Sequence, residues 1–290
     1  MDYFKVLCRE KRRHFIDSNY HKYIIHFSLM RLSLIFLFWI SSTSLFGQII
    51  GIIGAMPEEI RILTENLEDK KIVKYKDLTF YEGRLENKNV VIMKAGIGKV
   101  NAAYSTTLLL EKYQISEIIF TGVAGGLHPE ALPGDIVVGD SIFHHDYARH
   151  LANDEYIVRP TQNIENNQKN PLYFVSDKTL LEKAKKVIPN LKTLKVGEHN
   201  PKIFIGKIAT GDVFLSNSIK AKWLYNTFGA LATEMEGAAV AQIAFQQKVP
   251  FIIIRSCSDN ANNDAHLDFQ IFMKPAAENA IRLVMAILKE

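Results

Sequence analysis

Ile49-Ile50-Gly51-Ile52-Ile53-Gly54-Ala55-Met56-Pro57-Glu58-Glu59-Ile60-Arg61 is the stretch that decides the fold. Its apolar run, Ile49–Ile53, predicts a buried parallel strand. The run empties into Gly54-Ala55-Met56, and Pro57 opens a helix as its first residue. Glu58 and Glu59 therefore fall in the first helical turn, at the carboxyl end of a strand. In open α/β sheets that rim is where ligands sit. A glycine turn without lysine, followed by carboxylates, suits a neutral or cationic ligand better than a phosphate. Acids also favour helix N-termini through the helix dipole, so position alone singles out neither Glu.

Further runs rich in β-branched residues predict strands at Leu78–Leu85, Val90–Lys94, Ile118–Thr121, Ile136–Ile142, Ile203–Thr210 and Phe251–Arg255. Apolar residues at helical spacing appear at Val100–Tyr113, Leu180–Ile188, Ile219–Phe228, Gly237–Gln247 and Phe269–Leu288. Strands alternating with helices define an α/β protein, a three-layer α/β/α sandwich. Glu86-Asn87-Lys88-Asn89 separates two strands and predicts a hairpin, which makes the central sheet mixed. Residues 147–202 are polar and weakly patterned, with Asn163–Asn170 the most loop-like. No repeat, low-complexity tract or Pro/Gly-rich linker divides residues 48–290, which read as one domain.

Residues 1–47 differ in kind. They hold seven basic and three acidic residues, leaving 28 of each sign in 48–290, so the net charge of +4 belongs to this extension. A neutral domain gives no electrostatic support to a nucleic-acid or membrane-surface role. Basic residues, the apolar run Leu32–Ile40 and then Ser41–Gly47 have the layout of a secretory signal, with cleavage expected before Gln48 and export as the consequence. Met30-Arg31 would make a conventional signal start. An uncleaved anchor is the alternative, although Leu32–Phe46 is short for a span; a start further downstream would leave a cytoplasmic protein. Cys8 and Cys257 are the two cysteines, so a chain cut before Gln48 keeps one and has no internal disulfide.

Several strand ends carry glycine or acid and should converge on one rim. Thr121-Gly122-Val123-Ala124-Gly125-Gly126 reads as a glycine loop after a strand, with backbone free to approach a ligand. Lys94-Ala95-Gly96-Ile97-Gly98-Lys99 is similar but lacks the Walker spacing. Thr210-Gly211-Asp212-Val213-Phe214-Leu215 ends another strand. A Phe there is more often core than a stacking platform. Glu234-Met235-Glu236 precedes a small-residue helix, and acids entering a buried helix are costly unless paired or bound to ligand. Asp259 closes Arg255-Ser256-Cys257-Ser258-Asp259, either as a helix N-cap or as an acid held neutral for proton donation. His144, His145, Asp146 and His150 match no zinc spacing, so no metal and no cofactor are expected.

From Ile50 to about Leu288, these motifs together resemble the 5′-methylthioadenosine/S-adenosylhomocysteine nucleosidases of the nucleoside phosphorylase superfamily. The matching stretches are Gly51–Glu59, Gly96–Val100, Thr121–Leu127, Pro133–Val138, Thr210–Asp212, Glu234–Glu236 and Arg255–Asp259, in family order and at near-family spacing. The resemblance implies a nucleoside phosphorylase-like fold and hydrolysis of an N-glycosidic bond through an oxocarbenium-like ribosyl centre, a reaction of methionine salvage. It makes Glu59 the base that activates water and Asp259 the acid that protonates purine N7. Glu236 would hold the ribose hydroxyls with Met235 against the sugar. Phe214 would stack on adenine, backbone at Leu215 would read its edge, Gly125 would lie beside the ligand, and Phe269 would cover the 5′-thio group. A homodimer is implied as well. Two departures stand out. Val123 replaces a Ser common in the family, and His144–Lys202 matches poorly in a region that shapes the 5′ pocket and the dimer contact.

Two other readings compete. A phosphorolytic transferase of the same superfamily would place arginines around phosphate after the first strand, where this chain has Met56-Pro57-Glu58-Glu59. A non-catalytic exported nucleoside-binding protein would not need both Glu59 and Asp259.

Overall fold

Strand β1 (Ile49–Gly54) lies inside a mixed sheet, paired in parallel with β4 (Lys88–Lys94) on one side and β5 (Ile115–Gly126) on the other. The computed structural model describes residues 48–152 and 155–290; the signal, anchor and start-site expectations for residues 1–47 lie outside them. Beyond β4, the antiparallel strands β3 (Leu78–Leu85) and β2 (Glu68–Tyr75) finish one edge. Beyond β5 come β12 (Phe251–Asp259), β6 (Ile136–His144), β10 (Ile203–Thr210) and β11 (Ala230–Glu234). β12 runs parallel to β5 but antiparallel to β6, so the sheet is mixed here as well as at the β2–β3–β4 edge. The hairpin between β3 and β4 turns through Glu86 and Asn87, both at positive φ, and Leu85 pairs with Lys88. Positive φ at both central residues is the two-residue turn that matches strand twist.

Alternating side chains of the strands build a core on each face. Ile50, Ile52, Val90, Ile92, Ile252 and Ile254 join helices α1 (Pro57–Glu65), α3 (Lys178–Val187) and α6 (Ala265–Lys289). Ile53, Val91, Met93, Ile118, Phe120 and Ile253 join α2 (Lys99–Lys112) and α5 (Gly237–Gln247) on the opposite face. Each fully buried Leu or Ile of these layers contributes about 1.5–3 kcal/mol. This is the expected α/β/α arrangement. A further helix, α4 (Ser218–Phe228), is capped at its start by Asn217, whose side chain accepts from the backbone N–H groups of Ile219 and Lys220.

Two features position the site. First, the sheet curls back on itself: β11 pairs with the end of β5 through Ala232 with Gly126 and Thr233 with Gly125. That brings Glu234 and Glu236 to the carboxyl ends of β5 and β12. Second, Pro275 divides α6. Before it only Ala265 is buried, whereas a buried stripe runs from Ala276 to Leu288 after it. The stripe packs on the sheet, and the first part is left to carry Phe269 over the rim.

The sequence missed β2 and β11, and the short strands within residues 147–202. β2, Glu-Asp-Lys-Lys-Ile-Val-Lys-Tyr, is a polar edge strand, and charge on an edge discourages pairing with other chains. β11 is five residues of mostly small side chains, too short for a pattern. Residues 147–202 contain the small hairpin β7 (Ala148–His150) and β8 (Tyr156–Val158), the short β9 (Phe174–Val175) beside β6, and α3.

Candidate active site

A pocket opens where β5, β11 and β12 end and α1 begins. Glu59, Gly125, Phe214, Leu215, Met235, Glu236, Asp259 and Phe269 all line it, together with Met56, Ile97, Val123, Val213 and Ser258. Every site residue expected from the sequence is therefore brought to one cavity. Glu58 is not among them; it faces a separate groove with Arg61 and Lys94.

Glu59 sits in the first turn of α1 and is buried. Its Oε2 accepts from the backbone N–H of Ala55 at 2.6 Å and of Met56 at 2.8 Å, and its Oε1 accepts from Val123 N–H at 2.9 Å. The Gly-Ala-Met turn thus aims its amides at the carboxylate, binding α1 to β5 through one side chain. Burial raises its pKa, while the nearby Arg255 charge and the three N–H donors pull the other way.

The glycine motif 121–126 is not a loop: it is the second half of the twelve-residue strand β5. Its glycines instead make room for side chains crossing the strand. A methyl group on Gly122 would overlap Nη1 of Arg255 and lie 2.6 Å from Oε1 of Glu59.

Arg255 is the residue the sequence reading did not single out. It is fully buried in β12, with its guanidinium 4.0 Å from the ring centroid of Phe120. Nη2 donates to Glu234 Oε2 at 2.5 Å and lies 3.6 Å from Glu236 Oε2. Glu234 also accepts from Thr210 Oγ1 and from the N–H groups of Glu236 and Gly237 at 3.1 and 2.7 Å. It thereby stands at the start of α5, where a carboxylate is favoured by the dipole. The signal was available: a cation directly after the apolar run Phe251–Ile254 enters a buried strand, and a buried charge requires partners.

Glu236 is held on the pocket wall by Gly98, whose N–H donates to Oε1 at 2.8 Å. Gly98 has φ of +92°, a conformation that favours glycine. Burial, reinforced by the neighbouring Glu234 charge, holds Glu236 well above the usual carboxylate range. A carboxyl poised this way accepts or donates toward a pair of vicinal hydroxyls.

Asp259 is the last residue of β12, and Asp264, not Asp259, occupies the N-cap position of α6. Its Oδ1 accepts from Ala261 N–H at 2.8 Å and its Oδ2 accepts from Ser258 Oγ at 2.9 Å. Burial outweighs these bonds and pushes its pKa up to about 6, so the neutral acid is accessible near neutral pH. Phe214 is 44 % exposed at the mouth and meets Phe269 edge-on at 5.7 Å, so it is no core residue. Val123 packs with Met56, Phe269 and Met273, keeping the wall beside Glu59 apolar. Among the described residues no group of three or more His, Cys, Asp and Glu side chains is placed to hold a metal ion.

This fold and this pocket define a protein of the phosphorylase superfamily, which the chain matches over residues 49–289. The chain is 39 % identical to the 5′-methylthioadenosine/S-adenosylhomocysteine nucleosidase of Shewanella loihica, covering 83 % of this chain and 98 % of the relative. Among solved structures it is similar to the Neisseria meningitidis nucleosidase of that name in complex with methylthio-immucillin-A, with 34 % identity, a TM-score of 0.72 and 83 % and 99 % coverage of the two chains. It is equally similar to the Colwellia psychrerythraea enzyme in complex with adenine, at 36 % identity, a TM-score of 0.71 and 83 % and 95 % coverage. The chain belongs to the 5′-methylthioadenosine/S-adenosylhomocysteine nucleosidase family.

Proposed function

We propose that this protein hydrolyses the N-glycosidic bond of 5′-methylthioadenosine and S-adenosylhomocysteine, releasing adenine and the 5′-thioribose product in methionine salvage and S-adenosylhomocysteine recycling. One observation carries the reading. Two buried carboxyls face the same pocket in different surroundings: burial raises both, but three backbone N–H donors and the Arg255 charge favour the ionised form of Glu59, whereas Asp259 accepts from one backbone N–H and one hydroxyl and is pushed up to about 6. Ionised base and neutral acid are the pair that glycoside hydrolysis needs.

In this reading adenine lies against Phe214, with backbone at Leu215 along its edge. The C1′–N9 bond breaks as its electrons move into the purine, and Asp259 delivers its proton to N7. Glu236, held by Gly98, binds the ribose hydroxyls, and Met235 packs on the sugar. Glu59 takes a proton from the water whose oxygen bonds to C1′. Each proton transfer contributes about 10²–10⁴-fold, and the neighbouring carboxylates stabilise positive charge at C1′. Phe269 and Met56 lie where an apolar 5′-thio group would rest. The test is adenine release from methylthioadenosine, S-adenosylhomocysteine and adenosine in phosphate-free buffer. Turnover that requires phosphate would replace hydrolysis by phosphorolysis.

The same proposal takes residues 48–290 as the catalytic domain, exported after cleavage before Gln48. N-terminal sequencing of the mature protein checks this. A homodimer is supported by apolar side chains left exposed at the mouth: Ile97, Val213 and Phe214, with Leu267 and Ile271 flanking Phe269. Light scattering on the purified protein measures it.

A further inference from the structure

Outside the pocket wall, three segments distant in sequence close a ring of hydrogen bonds. Lys99, the first residue of α2, donates from Nζ to Asp146 Oδ1 at 2.6 Å. The other oxygen of Asp146 accepts from the backbone N–H of Asp212 at 2.8 Å. Asp212 completes the ring by accepting from the backbone N–H of Lys99 at 2.7 Å. Both charged side chains of the ion pair are about one-fifth exposed, at 20 % and 21 %. An exposed ion pair is worth little, but this one is mostly covered and its carboxylate also holds a backbone amide. The amide bond and the partial burial place it in the stronger, charge-assisted class.

What the ring joins gives it a function. Gly98, next to Lys99, donates to Glu236. Val213, Phe214 and Leu215, immediately after Asp212, form the opposite wall of the same pocket. Gly211 is fixed from behind, since its N–H donates to Glu234 O at 3.0 Å and a methyl group there would strike the His145 ring. The two walls are therefore joined directly, by the Asp212 carboxylate on Lys99 N–H, and a second time through Asp146, which comes from the segment that opens the poorly matching region 144–202.

We infer that Asp146 is a positioning residue for substrate: by bridging Lys99 and Asp212 it holds the Gly98–Glu236 contact and the Phe214–Leu215 wall at the spacing one nucleoside requires. The inference rests on the functional reading above for its substrate. Asp146 is not among the residues that line the pocket, so its loss affects binding more than chemistry.

The test uses the full domain with Asp146→Ala, Lys99→Met, the double variant and Lys99→Arg. For methylthioadenosine, KM should rise roughly ten-fold in each of the first two variants, the size expected for losing one charge-assisted hydrogen bond. The value of kcat should stay within about two-fold, because the acid and base are untouched. The double variant should be no worse than either single one, and Lys99→Arg should retain most of the wild-type KM. In parallel, amide exchange at residues 97–100 and 211–215 should quicken in Asp146→Ala. An unchanged KM, a loss confined to kcat, additive single effects or unchanged exchange would each overturn the proposal. If the wild-type protein releases no adenine, the functional reading fails instead, and the exchange measurement alone decides the ring.

Discussion

Arg255 and Glu59 share the space over one backbone position: the guanidinium and the carboxylate both lie over Gly122, where a Cβ would overlap one and come within 2.6 Å of the other. β5 thus carries no side chain at the point where the buried cation approaches the proposed base. Arg255 also reaches Glu234 and lies near Glu236, so one positive charge serves three carboxylates.

Gly122→Ala is accordingly expected to be far more damaging than a methyl group elsewhere in the strand. Overpacking of this kind costs about 1–3 kcal/mol. Because the displaced groups are Arg255 and Glu59, kcat/KM for adenine release should fall by roughly 10²-fold or more, of the order of losing one acid–base group. Thermal unfolding and a steady-state assay on one preparation measure both.

Glu59→Gln should lower kcat by about 10²–10⁴-fold with little change in KM. The substitution also sets an amide NH₂ among three backbone N–H donors, which costs about 1–3 kcal/mol for the donor left unpaired. A variant that keeps full kcat would remove Glu59 from the mechanism.

Asp259→Asn should abolish most activity yet stabilise the fold at neutral pH. The folded-state pKa is raised from 3.8 to about 6. A carboxyl shifted upward binds its proton more tightly in the folded state, so stability is lost as pH rises from about 4 through about 6. Asn keeps the acceptor for Ala261 and carries no charge. It should therefore add on the order of 1–3 kcal/mol at pH 7 relative to wild type, and the gain should vanish near pH 4. Denaturant melts at the two pH values test the sign.

The same shift predicts a pH profile for turnover. With Asp259 acting as the acid, kcat/KM should decline as pH rises above about 6, the range in which Asp259 loses this proton. The residual rate of Asp259→Asn should lack that decline. A profile flat from pH 5 to 8 in the wild-type protein would contradict the assignment.

Cys257 should resist alkylation in the folded protein. It is fully buried in β12, and burial raises its thiol pKa, leaving almost no thiolate. Mass spectrometry after treatment with a thiol reagent, with and without denaturant, should find residue 257 modified only on unfolding.

Much of the fold was legible because its strands bury both faces. Ile49–Ile53 and Phe251–Ile254 read as near-continuous apolar runs, and Pro57 marks where α1 begins. The strands that escaped notice carry no such pattern: β2 is polar because it is an edge, β11 is short and small because it folds against Gly125 and Gly126, and β7, β8 and β9 are two or three residues long. The candidate site was legible through motifs, one strand end at a time, and the eight expected residues do meet in one pocket. Arg255 was overlooked because its importance lies in what surrounds it.

The sequence by itself determined the alternation of strands and helices, the placement of acids and glycines at strand ends, and the position of Glu59 in a first helical turn. These follow from local chemistry: side-chain period, proline at a helix start and glycine where backbone is approached. Only the tertiary structure decided which acid does what. Glu234 pairs with Arg255 and accepts the first N–H of α5, Glu236 faces the pocket beneath Gly98, and Asp259 ends a strand with its proton favoured by burial. The difference arises because a carboxyl's behaviour depends on its donors, its neighbouring charges and its distance from water, and all three are set by residues far away in the chain.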